Sequence, residues 1–475
     1  MAAAVKLNIC VIQPKGYVFS LGLLDQAIYF QYYLQEMGYR VELTKNRLRA
    51  DAVNFIFGGH LGFDPDLAAR YTCVLVNLEQ VGSDGCNLAP AYVEMLGRLP
   101  VIDYDPANVA AYRADPSEVA IVPFQFMPYL RREPLTPVAE RPIDVLFIGS
   151  VNQRRFDLFE KIRAAGVEVS YFDGPLFGPE RDAFIRQAKC MLNTGFYGRN
   201  RLEQTRLSHS LSLGTPVVST RPNVGNDCGV FEDCTTWVDE AEIVDFFRNT
   251  FPTQEWCELA QAQVENFTRT DPTADFEAML AHFALLFDAM PQAHRPAVIN
   301  TTSDYRLGWL NLAEDARLAP DAVLDLTQAL EWPQQVDTAS FGTIALQPES
   351  FSAILANPAR LSGAALDNLM RNCMALLQNQ GHVILSVPAK GADVTSIFHK
   401  SAAPDLTALM EPYTESFWQM GWFSHRFAVE GTAVDGDVQI VLRKVETTPR
   451  ERNSMRASDP HFGLDQAPYL AAVAG

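Results

Sequence analysis

The stretch Ile143-Asp-Val-Leu-Phe-Ile-Gly-Ser-Val-Asn-Gln-Arg-Arg155 reads as a buried strand that runs into a small-residue turn and a helix start carrying two arginines. Further on come Tyr197-Gly-Arg-Asn-Arg-Leu-Glu-Gln-Thr-Arg206 and Leu213-Gly-Thr-Pro-Val-Val-Ser-Thr220, a basic helix start followed by another apolar strand. A helix N-terminus offers unpaired backbone N–H groups and the positive end of the helix dipole, both suited to a phosphate. Arginine adds a planar fork of charge-assisted donors. The segment therefore predicts a parallel α/β domain that holds a nucleotide diphosphate. Its candidate contacts are Gly149, Ser150, Asn152, Arg154, Arg155, Arg199 and Arg206.

Outward from that segment, short apolar runs alternate with helix-like stretches, the pattern of parallel α/β structure. Before it, strands are expected at 7–12, 40–43, 52–57, 73–78, 100–102 and 119–123, with a helix over 21–37 ended by Gly38. Within it and after it, strands are expected at 144–148, 167–172, 189–193, 216–219 and 235–238, closed by a helix over 275–290. A third set is expected at 309–312, 322–326, 342–346, 382–387 and 438–442. The last thirty-odd positions, rich in Arg, Ser, Pro and Ala, read as an extended or disordered tail.

Composition narrows the function classes. At 475 residues the chain exceeds a single core. A net charge of −19 argues against sequence-independent nucleic-acid binding and against adhesion to an anionic membrane, because both need a basic surface. The eight cysteines are scattered with no CxxC pair, and several lie inside apolar runs, as suits thiols in a reducing cytoplasm. The N-terminus lacks the pattern of a signal peptide, and no apolar run reaches the length of a transmembrane helix. The expectation is a cytoplasmic protein with no transmembrane segment.

Open parallel sheets bind ligands beyond the carboxyl ends of their strands. In the first set those exits carry Lys15 and Tyr17, Gly58-Gly-His60, and Glu79-Gln80. His60 either caps its turn or acts as a base, and Glu79 either caps the following helix or acts as a base. Lys15 and Tyr17 are placed on the acceptor side. Asp103-Tyr-Asp105 has the spacing of a metal-binding pair, but Asp105 reads better as a helix N-cap, so no metal ligands are assigned. Tyr29-Phe-Gln-Tyr-Tyr33 reads as core. On the helix from about 201, Glu203, Arg206 and Ser210 share a face at i, i+3 and i+7. They are either a surface ion pair beside a serine or a hydroxyl-and-phosphate clamp.

Several motifs together resemble one family. Gly58-Gly-His60, Val76-Asn-Leu-Glu-Gln80, Ile102-Asp-Tyr-Asp-Pro-Ala-Asn108, Val122-Pro-Phe124 and Asp144-Val-Leu-Phe-Ile-Gly-Ser150 are similar to a bacterial group of GT-B-type glycosyltransferases, as are Glu203-Gln-Thr-Arg-Leu-Ser208 and Gly214-Thr-Pro-Val-Val-Ser219. The resemblance covers residues 1–290. It implies transfer of a glycosyl group from a nucleotide sugar with no metal or other cofactor required. Arg154, Arg155 and Arg206 would neutralise the leaving diphosphate, and Glu203 would bind donor hydroxyls. In an inverting enzyme His60 or Glu79 would deprotonate the acceptor. The commonest retaining pattern has a second Glu where this chain has Leu211, so both stereochemical outcomes stay open.

Residues 309–443 resemble the S-adenosylmethionine-dependent methyltransferase-like domains, through Leu310-Asn-Leu312, Val323-Leu-Asp325, Asn372-Cys-Met-Ala-Leu-Leu377, Gln380-Gly-His-Val-Ile-Leu-Ser-Val-Pro388 and Ser416-Phe-Trp-Gln-Met-Gly-Trp-Phe423. A working domain of this kind carries a glycine loop after its first strand. Here Leu312-Ala-Glu-Asp-Ala-Arg317 stands in that place without glycine, and Asp325 alone matches the ribose-binding acid. The resemblance implies a degenerate domain, doubtful as a binder of S-adenosylmethionine, that serves packing, homo-oligomer formation or acceptor handling.

The fold class is thus α/β, two Rossmann-like domains in the GT-B arrangement followed by a methyltransferase-like Rossmann domain. The expected boundaries are 1–128, a linker at 129–142, 143–290, a linker at 291–305, 306–444, and a tail at 445–475. The leading function is a glycosyltransferase acting on a nucleotide sugar and a bacterial surface glycan, lipid-linked oligosaccharide or protein acceptor. The alternatives are a sugar methyltransferase with sugar-binding domains in front, a non-catalytic scaffold of polysaccharide assembly, and a sugar-nucleotide epimerase.

Overall fold

The computed structural model describes residues 5–82, 87–172, 175–196, 198, 201–224, 227–288, 295–358, 361, 363–388, 409–420, 422, 424–435 and 437–452. The chain forms two compact units, Met1–Gln292 and Ala293–Gly475.

The first unit contains two all-parallel sheets. One is built from β1 (Lys6–Val11), β2 (Arg40–Lys45), β3 (Val53–Phe57), β4 (Cys73–Asn77), β5 (Val101–Asp103) and β6 (Ala120–Ile121), in the order β2-β1-β3-β4-β5-β6. Helices α1 (Leu23–Glu36), α2 (Pro90–Arg98) and α3 (Pro106–Val109) belong to it. Its strands read as continuous apolar runs because both faces are covered: every residue of β3 and β4 is buried. The other sheet has β7 (Ile143–Phe147), β8 (Val169–Tyr171), β9 (Ala188–Asn193), β10 (Val217–Ser219) and β11 (Thr236–Trp237), in the order β11-β10-β9-β7-β8. Around it lie α4 (Gln153–Ala164), α5 (Gly178–Gln187), α6 (Gln204–Ser212), α7 (Ile243–Asn249) and α8 (Gln254–Phe267). In each sheet the chain adds strands first to one side and then to the other, so the order switches between β1 and β3 and between β7 and β9. Those two switch points are where crevices open.

The end of the first unit differs from expectation. The helix expected over 275–290 is two helices, α9 (Thr273–His282) and α10 (Ala284–Asp288). They do not cover the second sheet. Phe276, Met279, Phe283 and Phe287 join the core of the first, with Tyr29, Phe30 and Phe55. By packing, the second domain ends before α9, and the chain returns to the domain where it began.

In the second unit, β12 (Val298–Asn300), β13 (Leu310–Ala313), β14 (Ala322–Val323), β17 (Phe351–Ala356), β18 (Leu377–Pro388), β19 (His425–Asp435) and β20 (Asp437–Glu446) form a sheet ordered β14-β13-β12-β17-β18-β20-β19. It is parallel from β14 to β18, while β20 runs antiparallel to both of its neighbours. The expected linker at 291–305 therefore contains the strand β12, only three residues long, in the middle of this sheet. The strand expected at 342–346 pairs instead in a separate hairpin of β15 (Gln334–Thr338) with β16 (Gly342–Leu346). Helix α11 (Ala364–Leu376) leads into β18, and the expected tail begins inside β20.

The described cysteines are all free and buried, and burial pushes the Cys10 thiol up to about 12. Among the described residues no helix is long and apolar enough to cross a membrane.

Candidate functional site

At the second sheet's switch point, β7 exits through Ile148 into Gly149, whose φ of +145° suits a residue without Cβ. Asn152 then caps α4, its Oδ1 accepting the Arg155 backbone N–H at 3.0 Å. Across the crevice, Asn193 ends β9. Its Oδ1 accepts from Nη1 of Arg206 at 2.5 Å, and its Nδ2 donates to Ser219 Oγ at 2.9 Å. The Arg206 guanidinium lies over the Phe147 ring, 5.4 Å from its centroid. A Cβ built on Gly149 would stand 3.1 Å from Arg206 Nη2. The turn and the guanidinium thus meet at one point.

The remaining candidates divide by where their helices send them. Arg154 and Arg155 are neighbours on α4 and so point to different sides. Arg154 is exposed and paired with Glu240. Arg155 is buried: Nη1 donates to Ser150 O at 2.8 Å, Nη2 donates to Thr194 O, and the guanidinium lies between the Phe147 and Phe196 rings. The expectation that Arg155 faces a diphosphate is corrected accordingly; it holds the two strand-exit loops together. Ser210 is buried and its Oγ donates to the Arg206 carbonyl one turn back, at 2.8 Å. Arg199 lies outside the described residues.

Glu203 is no isolated surface partner of Arg206, from which it stands 3.9 Å away. Its Oε1 accepts from Gln80 Nε2 of the first domain at 2.8 Å. The start of α6 is stitched to the first sheet's exits throughout. Gln80 Oε1 accepts the Arg201 N–H, Arg201 Nη2 donates to Val81 O, and Gln204 donates to Tyr104 O while accepting the Phe124 N–H. Sequence reasoning quoted Gln80 and Gln204 within motifs but gave neither a role, and took position 193 only as the end of an expected strand.

On the first domain, His60 Nε2 stands 3.4 Å from Glu79 Oε1, with the His60 ring against Tyr92 at 5.7 Å. Lys15 and Tyr17 are exposed beyond β1. Asp103 is the buried hub of this end: it accepts from Asn77, Asn108, Tyr112 and the Asp105 N–H, and burial raises its pKa against those donors. Asp105 caps α3, its Oδ1 accepting from Ala107 N at 2.8 Å. Among the described residues no cluster of His, Cys, Asp or Glu could hold a metal ion.

Two cavities meet at α6. One, of about 210 Å³, has Gly22, Asp25 and Gln26 of the first domain facing Gly149, Arg206 and Ser210 of the second. The other, of about 240 Å³, lies between Glu79, Gln80 and Tyr104 on one side and Glu203 and Gln204 on the other. Thr205 lines both. His60, Lys15 and Tyr17 line neither. Asp25, in the first turn of α1, gave no local signal; its carboxylate receives Arg181 Nη1 at 2.6 Å, tying α1 to α5. Arg181 also meets Asp182, and His209 Nε2 lies 2.8 Å from Asp182 Oδ1. Burial works against ionisation of Asp182, but His209 and Arg181 hold its carboxyl down to about 2.

No protein-family model matches this chain, and no curated protein matches it. Among solved structures, Anabaena HepE in complex with UDP is similar over 59% of this chain and 100% of its own, at 12% identity and a TM-score of 0.37. The sucrose-phosphate synthase of Thermosynechococcus elongatus is similar over 60% of this chain and 98% of its own, at 11% identity and a TM-score of 0.38. T4 phage β-glucosyltransferase is similar over 59% of this chain and 99% of its own, at 13% identity and a TM-score of 0.38.

Proposed function

We propose that the first unit is a glycosyltransferase that moves a sugar from a nucleotide-sugar donor to a bacterial surface glycan, lipid-linked oligosaccharide or protein acceptor, without a metal. The observation that carries this reading is the meeting of Arg206 with the Gly149 turn in a cavity shared with the first domain. In the reaction the bond from the anomeric carbon to the diphosphate oxygen breaks, and a bond to the acceptor oxygen forms. The diphosphate leaves with the electron pair, and Arg206 and the backbone at the Gly149 turn meet its charge. Glu203 receives donor hydroxyls. In an inverting transfer the acceptor proton passes to Glu79, which lines the second cavity, or to His60 beside it. Their 3.4 Å separation is long for a hydrogen bond, as catalytic contacts often are before substrate binds.

The test is a thermal-shift screen of nucleoside diphosphates and nucleotide sugars on the full chain and on Arg206→Ala. A ligand at 100 times its Kd stabilises by about 2.7 kcal/mol. The reading predicts that one nucleotide does so and that Arg206→Ala abolishes the response. No response from any nucleotide, or an unchanged response in the variant, overturns it.

The second unit is read as a methyltransferase-like domain that holds no S-adenosylmethionine. Because β12 precedes β13, the loop that should carry glycine is Thr301-Thr-Ser-Asp-Tyr-Arg-Leu-Gly-Trp309, which runs without a helix and has its single glycine at Gly308. The chain fills this place with its own bonds. Asn311 Oδ1 accepts from Asn300 Nδ2 and the Arg306 N–H, Asn311 Nδ2 donates to Asp321, and Asp321 also accepts from Tyr305. These residues do not fit the cofactor. Saturable binding of S-adenosylmethionine in calorimetry would refute that part of the reading.

A further inference from the structure

A third cavity, of about 320 Å³, lies behind the seam between α1 and α5 and exceeds the 210 Å³ cavity beside Arg206. Its walls come from three parts of the first unit: Ile28 on α1, Tyr129 and Arg132 just after β6, and Arg186 and Ala183 on α5. Asp25 and His209 stand in the walls of both cavities, so the Asp25–Arg181 bridge divides them.

The carboxylates here are already engaged. Asp25 and Asp182 both receive Arg181. The two arginines on the other side have no such partner. Arg132 is exposed, and neither Arg132 nor Arg186 has a carboxylate within salt-bridge distance among the described residues. Arg186 donates one bond, Nη2 to Leu130 O at 3.1 Å, and leaves Nε buried with no partner. Burial, and then the charge of Arg132, disfavour the charged form of Arg186, and the Asp182 carboxylate offsets them only in part. His209 likewise leaves Nδ1 buried without a partner. The orphaned buried Arg186 N–H and the unpaired like charges of Arg132 and Arg186 cost free energy, and an anion between them would recover it. The floor is apolar: Ile28 and Tyr129 keep 37% and 36% of their surface exposed, and the Tyr129 ring rests on Tyr32 with centroids 5.0 Å apart.

We propose that this cavity is a second binding site, separate from the Arg206 cavity, for a small anion whose phosphate or carboxylate group is held by Arg132 and Arg186 and whose flat or apolar body rests on Tyr129 and Ile28. The site holds whether or not the chain transfers sugars. A ligand in it touches both domains of the first unit at once.

The probes are phenyl phosphate and benzoate, with benzyl alcohol as the neutral analogue, titrated calorimetrically into the full chain. At least one anion binds saturably and benzyl alcohol does not; the tighter anion identifies the group the site prefers. Arg132→Gln and Arg186→Gln each weaken that binding about tenfold, as expected for a lost charge-assisted bond, while Arg206→Ala leaves it unchanged. Arg132 is exposed, so its variant remains informative if Arg186→Gln fails to fold. The proposal is overturned if neither anion saturates, if benzyl alcohol binds equally well, or if the loss follows Arg206→Ala instead.

Discussion

Asn193 and Arg206 are joined by a 2.5 Å hydrogen bond from Nη1 of the guanidinium to Oδ1 of the amide. The amide has little freedom to turn away. Its Nδ2 donates to Ser219 Oγ at 2.9 Å, so Oδ1 is the face left for the arginine. With Phe147 packed against the guanidinium, the second nitrogen is held at the Gly149 turn. Asn193 is thus a positioning residue that acts through Arg206.

Replacing Asn193 with Ala should weaken nucleoside diphosphate binding about tenfold, the scale of one hydrogen bond to a charged group. The discriminating measurement is a double-mutant cycle. In an Arg206→Ala background the same replacement should cost no further affinity, because the group it orients is gone. Equal losses in both backgrounds would show that Asn193 acts only through stability.

Gly149→Ala meets two obstacles. The backbone sits at φ +145°, which L side chains rarely adopt, and the new methyl would stand 3.1 Å from Arg206 Nη2. The first costs about 1–3 kcal/mol of stability. The second is relieved by moving the end of a flexible side chain, so it should appear as lost nucleotide response and not as unfolding. A variant that melts lower yet binds nucleotide with wild-type affinity would separate the turn from the site.

The sheets were legible where burial on both faces forces apolar runs, as in β3, β4 and the last three residues of β7. β12 was not, because three residues beside a proline carry too little periodicity to distinguish a strand from a linker. The switch-point rule located the Gly149 turn and the Asn193 exit. It could not tell which arginine would reach them: successive helix positions point about 100° apart, and only packing decides that Arg154 faces Glu240 while Arg155 turns inward. Asp25 was hidden for another reason. Its partner Arg181 is distant in sequence, and an acid in the first turn of a helix reads locally as ordinary dipole stabilisation.

The Asp182 cluster predicts a pH signature. The native carboxyl is held near 2, below its ordinary value of 3.8, by His209 and Arg181 against the opposing effect of burial. A depressed carboxyl stabilises the fold above its unfolded pKa and loses that contribution as pH falls through the native value. The contribution is complete above about pH 5 and fades toward pH 2, amounting to roughly 2 kcal/mol. Urea unfolding of the wild type and of Asp182→Asn should therefore converge as pH drops from 5 to about 2. A constant difference across that window would rule out the ionised pair as its source.

The return of the chain to its first domain can be tested at Phe276. This ring is fully buried, stacks on Tyr33 at 5.5 Å, and meets Phe30 and Tyr29 at 5.1 and 5.7 Å, all on α1. Truncation to Ala removes those contacts and leaves a cavity, at a cost of about 3–5 kcal/mol. The location of the damage matters more than its size. If α9 completes the first core, amide exchange should accelerate in α1, β1 and β3 while β7, β9 and β10 keep their protection. If α9 instead served the second sheet, as a domain over 143–290 would require, the loss of protection would fall on β7, β9 and β10. Phe276 belongs to the core cluster that contains β1 and β3, and its ring contacts with Tyr29, Phe30 and Tyr33 lie within that cluster. Exchange should therefore report the first pattern.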